Sequence, residues 1–560
     1  MASKNKEAIE LIFPKLNHFW LDSGLLGLYR ISEELGAGKW NVSVRLASDE
    51  VAFQGRIEDI DTMLQENYKV LLHRYYNKST LKQIQENAGL YYDSANDKFV
   101  RFPKVKSAGI AGLIFNKAPR PINDKGIKFI DKKKSILPAG YADLQNKLND
   151  FLKETGLTTT TSELLVDGPN AVQPQVDIRV KPGESKGTCF LCGEPSHSLS
   201  EIGGTVFPFI AGSSGGLGFT TMAGVPEKVC WKCDYVSKFV PVNGFYMIND
   251  GRFQIFLPYS TDLQKMNDVY GALHAVEYED PYLMRNFKHP LGGYFQKPFE
   301  LTFAFLYSLY LTLTKKRDSD QQEEYELDYQ KLFDLVLSKA SLEFFVTSTE
   351  DLGQTQMGKM VWPFQDAVYF FRLMDTMERK GVKIKEVMQK FLDFDQSINE
   401  NKSLIRNRIC ERILKKQSIL DLAEQHTFHI CKSEDKYIVP IYEFVLKFET
   451  ILKEGGNGME QTGVDAAVKL GKRIGGSIAG AQNGKKGDLF ALRKVRKLED
   501  FLNEVSRAQF KYNFSVPTEI YEGYLNRETF AEFKQFCMIA ALNAYNGVKY
   551  HSESKGGEVV

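Results

Sequence analysis

Apolar residues in the first 35 positions form two runs, one of Ala8, Ile9, Leu11 and Ile12 and one of Leu25, Leu26, Leu28 and Ile31. Their spacing predicts helix over residues 5–35, broken at Asp22-Ser-Gly24. Trp40 to Leu46 alternates apolar and polar, the period of a strand, and Ile57, Ile60, Leu64, Tyr68, Leu71, Leu72 and Tyr75 recur at helical spacing. Thr158 to Ser185 is rich in Thr, Pro and polar residues and predicts an exposed loop. Beyond Cys233 the period becomes mostly helical: Phe299–Lys316, Gln321–Ala340, Trp362–Glu378, Val382–Phe394 and Leu404–Ala423, with Leu342–Thr347 as a strand. From Ile441 the pattern predicts a separate bundle. Its helices are Ile441–Lys453, Gly463–Ala481, Asp488–Phe510 with Asp488 as N-cap, Thr518–Asn526 behind Pro517, and Glu528–Asn546.

At 560 residues the chain is too long for one core and predicts two to four domains. The fold class expected is an α+β N-terminal domain with an inserted four-cysteine zinc module, followed by an all-α C-terminal helical bundle. The boundaries expected are 1–185 for the α+β nucleic-acid-facing part and 186–240 for the zinc module. A mainly helical continuation of the N-terminal domain covers 241–440, and a small-subunit-like bundle 441–560. The longest apolar run, Leu301 to Thr314, is interrupted by Thr and Ser and reads as a buried helix, not a membrane span. The first residues lack the apolar core of a signal peptide, so a cytoplasmic location is expected.

The strongest chemical signal lies mid-chain. Cys189-Phe-Leu-Cys192 and Cys230-Trp-Lys-Cys233 are two C-x-x-C knuckles separated by residues 193–229, 37 in all. Each knuckle aims two thiolates at one centre, and two complete a tetrahedral four-sulfur shell that suits Zn²⁺. No His or carboxylate interrupts the set, which favours a structural metal. Gly193 follows the first pair, where a tight knuckle needs it. Two disulfides, or unrelated buried thiols, are the other readings; with only Cys410, Cys431 and Cys537 besides, and no secretory signal, a disulfide framework is disfavoured. His426-x-x-His429-x-Cys431 with Cys410 offers a second ligand set, although such residues serve equally well as core or surface positions.

A net charge of +1 conceals three blocks. Arg101 to Lys134 holds ten Lys/Arg against two Asp, and Lys469 to Lys511 holds eleven Lys/Arg; Asp318 to Asp351 carries ten acids against two Lys. In the first block Arg101, Lys104, Lys106, Lys117, Arg120, Lys132, Lys133 and Lys134 are interleaved with aromatics such as Phe99, Phe102 and Phe115. This suits a nucleic-acid backbone with splayed bases, and equally core aromatics with snorkelling lysines. In the last block Lys472, Arg473, Lys485, Lys486, Arg493, Lys494, Arg496 and Lys497 line two helices and a turn, an arrangement that tracks phosphates without reading bases. The glycines at 212–218 fail the dinucleotide template at Thr221, and Ala479 and Lys486 break the triphosphate-loop template. No H-E-x-x-H and no paired-carboxylate spacing of a metal nuclease is present.

The Cys quartet, the segment Trp20-Leu-Asp-Ser-Gly-Leu-Leu-Gly27 and a basic helical C-terminus with Lys472-Arg-Ile-Gly475 together resemble one family. They are similar to the CXXC–CXXC lineage of type I-B CRISPR–Cas large subunits, components of the RNA-guided surveillance complex Cascade. The resemblance implies a non-enzymatic subunit that probes duplex DNA for the PAM. It also implies contacts with the guide RNA and unwound target, and partnership with backbone, small and 5′-handle subunits and a recruited helicase–nuclease. Pairing reads sequence in such systems, while protein reads the PAM and the backbone. By chemistry alone, loop residues Asn170, Gln173 and Lys297 are the PAM-reading candidates. A stand-alone zinc-ribbon nuclease or modification enzyme, or a zinc-containing DNA-binding regulator, is the alternative.

Codons open one further expectation. Lys453-Glu454-Gly455 can be encoded by the purine-rich sequence that recruits bacterial ribosomes, and Met459 follows closely. A start at Met459 would give residues 459–560, a 102-residue small-subunit-like product (560 − 459 + 1) that carries the last basic block.

Overall fold

The computed structural model describes residues 8–76, 89–102, 109–115, 120–121, 125–159, 162–170, 174–208, 228–249, 252–273, 291, 297–312, 314–316, 325–327, 343–351, 356–398, 401–432, 436–453, 459–516, 518, 520 and 523–556. The chain forms two compact units: residues 1–288 with 329–367, and residues 289–328 with 368–560. The segment expected as one continuation over 241–440 is therefore divided. Its strands at 245–259 and 343–364 belong to the first unit, and its ribbon at 314–327 and its helices from Val368 onward to the second.

The first unit opens with strand β1 (Ile9–Pro14), helix α1 (Phe19–Leu35), strands β2 (Ser43–Leu46) and β3 (Glu50–Gly55), and helix α2 (Ile57–Leu71). The strands form an antiparallel sheet in the order β1-β3-β2, with Phe13 opposite Val51. Helix was expected over 5–35 with a break at Asp22. Instead Ile9–Pro14 is a strand, and α1 runs unbroken through Asp22, Ser23 and Gly24. Helical spacing in a short apolar run also satisfies a paired strand, and the partner that decides it lies about 40 residues on. Trp20, Leu25, Leu28 and Ile31 of α1 meet Ile60, Met63 and Leu64 of α2 in one core. The helix predicted to Tyr76 continues beyond Leu71 as a π-turn, and Tyr76 Oη donates to Lys238 O at 2.8 Å.

A second sheet comprises β4 (Gly89–Asp93), β5 (Lys98–Phe102), β6 (Gly126–Lys128) and β7 (Glu163–Val166) in the order β5-β4-β7-β6. Only β4 and β7 pair in parallel. Helix α3 (Ala142–Thr155) buries Leu148 against Leu90 and Leu164 of this sheet and against Leu137 of the preceding loop. The cysteine region follows as two small ribbons, β8 (Gly187–Thr188) with β9 (Pro195–Ser196) and β10 (Leu199–Glu201) with β11 (Lys228–Cys230). It continues as helices α4 (Trp231–Ser237) and α5 (Val240–Asn243). A third, antiparallel sheet runs β12 (Phe245–Asn249), β13 (Arg252–Tyr259), β14 (Glu343–Asp351), β15 (Gln356–Phe364), with α6 (Leu263–Leu273) after β13. Trp362, expected to begin a helix, pairs with Val346 in this sheet.

Among its described residues the second unit is helical apart from a small ribbon, Thr314–Lys316 with Tyr325–Leu327. Its helices are α7 (Pro298–Thr312), α8 (Ala367–Arg379), α9 (Ile384–Lys390), α10 (Leu404–Leu414), α11 (Leu420–Ile430) and α12 (Val439–Lys453). The last four are α13 (Gln461–Gly480), α14 (Lys486–Lys494), α15 (Leu498–Tyr512) and α16 (Phe530–Gly556). Strand Tyr325–Leu327 replaces helix within Gln321–Ala340, whose other residues lie outside the described ones. The helix predicted over 488–510 is two helices, because the chain extends at Val495–Lys497, where Lys534 Nζ takes the freed Val495 carbonyl at 2.5 Å. Asp488 is not the cap. It sits inside the first turn of α14 and accepts from Tyr512 Oη and from Lys511 Nζ.

The most extensive helix pair is α13 with α16. Cβ atoms added at Gly471 and Gly475 would meet Cys537 O at 2.1 Å and Ala541 O at 1.9 Å, so both glycines permit the approach. Near α7 the Arg406–Glu300 pair is wholly buried at 2.8 Å. Such a pair needs further bonds to offset its desolvation, and Lys297 N–H supplies one to Glu300 Oε1 at 2.8 Å.

Candidate metal centre and nucleic-acid interface

The first knuckle is built by the β8–β9 ribbon. Cys189 N–H donates to Glu194 O at 2.9 Å, and Gly193 N–H to Cys189 O at 3.0 Å. That turn requires Gly193 at φ +73°, a left-handed conformation that glycine adopts without strain. The second knuckle sits where β11 runs into α4, with Cys230 at the end of the strand and Cys233 in the first turn of the helix. Phe190 N–H donates to Lys228 O at 2.9 Å and ties the knuckles together.

The four sulfurs of Cys189, Cys192, Cys230 and Cys233 all lie within 4.8 Å of one another. Cys189 Sγ is 3.8 Å from Cys233 Sγ, and Cys192 Sγ is 3.8 Å from Cys230 Sγ. These separations are far beyond the ~2.05 Å of a disulfide. They match the edge, about 3.8 Å, of a tetrahedron with metal–sulfur bonds of about 2.3 Å. Hydrogen bonds from Cys192, Cys230 and Cys233 pull the Cys189 thiol below its ordinary range, while the Cys233 thiol, facing Cys189 first, is pushed up. One thiolate in the cluster suppresses the next unless a cation joins them. The site can hold a metal ion.

Helix α1 braces this centre. Gly24 and Gly27 pack on the carbonyls of Val236 and Phe239, each of which a Cβ would meet at 2.3 Å. Asp22, the residue expected to break the helix, is buried and bonded to Lys15 Nζ and to Leu16 N–H, both at 2.9 Å. Asp22, Cys192 and Cys233 line one cavity of about 20 Å³, large enough for a single water. The segment Trp20–Gly27 and the cysteine centre are thus neighbours in space, 162 or more residues apart in sequence (189 − 27).

The second ligand set does not assemble. His426 Nε2 meets Lys390 O at 2.9 Å, His429 Nε2 faces Asp393 at 3.1 Å, and Cys431 Sγ accepts from Asn546 Nδ2. Cys410 is buried in α10, where burial pushes its thiol up. Among the described residues, the four-cysteine group is the one cluster placed to hold a metal.

The basic residues divide. In the first block Lys132, Lys133 and Lys134 are exposed on a turn that Asp131 Oδ1 closes through the N–H groups of Lys133 and Lys134. Arg101 is exposed on β5. The backbones of Arg120 and Asn170 pair with each other in a two-residue ladder. Lys104, Lys106, Lys117 and Gln173 lie outside the described residues. In the last block Lys472, Lys485, Lys494, Arg496 and Lys497 are exposed. Three others hold the fold together. Arg473 binds Ser515, Lys486 binds Cys431 O at 2.6 Å, and Arg493 forks onto both oxygens of Glu424 at 2.7 and 3.0 Å. Lys297 is half-buried beside Glu300. No helix among the described residues is long and apolar enough to cross a membrane.

Comparison with protein-family models gives no match for the chain, and comparison with curated proteins finds none similar in sequence.

Proposed function

We propose that the chain is the large subunit of an RNA-guided DNA surveillance complex of the type I-B CRISPR kind, a non-enzymatic cytoplasmic protein. In this reading it probes duplex DNA for the PAM and touches guide RNA and the unwound target. Backbone, small and 5′-handle subunits surround it, and a recruited helicase–nuclease cuts. The observation that carries the reading is the packing of its two motifs. The helix bearing Trp20–Gly27 lies directly on the cysteine centre, and Asp22 and Cys192 share a cavity.

The metal in this reading is one Zn²⁺ with a structural role. Four sulfurs at tetrahedral-edge spacing suit zinc, and a closed four-thiolate shell leaves no coordination position for a reacting water. The exposed lysines at 132–134 serve the duplex or the guide, and Lys494, Arg496 and Lys497 the unwound strand.

Incubation of the chain alone with Mg²⁺ or Mn²⁺ separates this reading from an enzyme. Single- and double-stranded DNA and RNA stay intact, and duplex binding that depends on a short flanking motif emerges only with guide RNA and the other subunits. Cleavage by the isolated chain would replace this reading with a zinc-ribbon nuclease.

A further inference from the structure

Helix α15 buries one stripe, Phe501, Val505, Ala508 and Tyr512, and presents another to solvent. On the solvent stripe stands Phe510, 90% exposed and the most exposed large apolar side chain among the described residues. It is out of phase with the buried positions, and folding gains nothing from a phenyl ring left in water. Asn503, Ser506 and Arg507 precede it by seven, four and three residues and share its face, all of them exposed.

Positive charge gathers at the N-terminal end of this helix. Its carboxylates are mostly matched: Glu504 pairs with Arg507, Glu499 with Arg527, and Asp488 with Lys511. Lys494, Arg496 and Lys497 at the head of the helix are exposed, three cations opposed by Asp500 and, at Lys497, by Glu499. From Lys497 to Phe510 is 13 residues, roughly 20 Å along a helix and about 140° around it, so a strand reaches both by crossing the helix surface. Cations at one end, an exposed ring at the other and the exposed Asn503, Ser506 and Arg507 between them match what an unpaired strand needs. Its phosphates meet the cations, and a base of any identity lies on the ring.

We propose that Phe510 is a stacking platform for an unpaired base of a single-stranded nucleic acid whose phosphates lie along Lys494, Arg496 and Lys497. The inference deepens the proposed role in holding unwound strands and rests on it for the biological strand, but its chemistry can be measured on the chain alone.

The test measures binding of a short mixed-sequence single-stranded DNA, and of the same sequence as duplex, to the purified full chain over a range of salt. Phe510→Ala weakens single-strand binding about tenfold, the loss of one base–aromatic stack, and leaves duplex binding and the salt slope unchanged. Phe510→Trp keeps the affinity, and single-stranded DNA quenches the emission of the introduced indole. Replacing Lys494, Arg496 and Lys497 together by Ala flattens the salt dependence by about two units of log–log slope, near 0.7 per phosphate contact. Wild-type affinity in Phe510→Ala overturns the platform, as does equal weakening on single strand and duplex. Loss of a protein partner with single-strand binding intact also overturns it and assigns the face to that protein. If the native chain carries no guide RNA yet shows the Phe510 effect, the platform stands and the proposed assembly falls.

Discussion

His18 starts helix α1 with its ring, where a hydroxyl or carboxylate is usual. Its Nδ1 accepts from Trp20 N–H at 3.3 Å and, more weakly, from Leu21 N–H at 3.5 Å, while the ring stacks on Phe19. An accepting Nδ1 carries no proton. Burial lowers the imidazole below its ordinary 6.5, with Asp22 opposing, so the folded chain binds that proton less well than the unfolded chain. The contribution is full above pH 6.5 and is lost as pH falls below it toward the folded value. His426, buried against Lys390 O, titrates in the same sense, so the informative quantity is a difference between variants. Thermal melts of the wild type and of His18→Asn from about pH 8 to about pH 5 should diverge below 6.5, the asparagine keeping an acceptor that does not titrate. Parallel curves would remove the ring from the cap. At the cysteine centre, Cys192→Ser leaves three thiolates, and metal-binding free energy is folding free energy at such sites. Elemental analysis should fall from about one zinc per chain to near none, with unfolding or aggregation of the cysteine region. Zinc-free wild-type protein that is soluble and folded would contradict the zinc assignment.

Among the elements, helices α13 and α16 make the sharpest test because adjacent glycines differ in surroundings. Gly475→Ala drives a methyl into Ala541 O and should cost about 1–3 kcal/mol as the helices part. Gly476→Ala meets nothing within 4 Å and should stabilise by up to about 1 kcal/mol through helix propensity. Chemical denaturation of both variants checks the pair; equal effects would mean that the close approach is absent. Elements with a long amphipathic period, such as Ile57–Leu71 and Gln461–Gly480, were legible in the sequence, as was the knuckle through its spacing and Gly193. Others were set by distant partners. Asp22-Ser-Gly24 has the composition of a turn, but Lys15 neutralises Asp22, and Gly24 is needed to reach Val236 O. Phe510 left a signal in the sequence, an aromatic out of phase with its helix, which reading the region as one helix over 488–510 concealed.

Over the whole molecule, the chain passes from the first unit to the second, returns for two strands of the third sheet, and leaves again. No local pattern announces such an excursion, and the boundary expected at 440/441 falls inside the second unit. Helix α16 packs on α11 and α12 as well as on α13, and Lys453 pairs with Glu532. A product starting at Met459, itself buried with its N–H on Glu532 Oε2, would expose that side of α16 and need a partner to cover it. In the proposed function this chain works inside an RNA-guided assembly. The most direct measurement is affinity purification from its native cell under its own promoter, followed by sequencing of bound RNA. Co-purifying subunits and one class of short RNA are expected, with a constant 5′ handle joined to variable guide sequence. A chain recovered alone and free of RNA would contradict the proposed function.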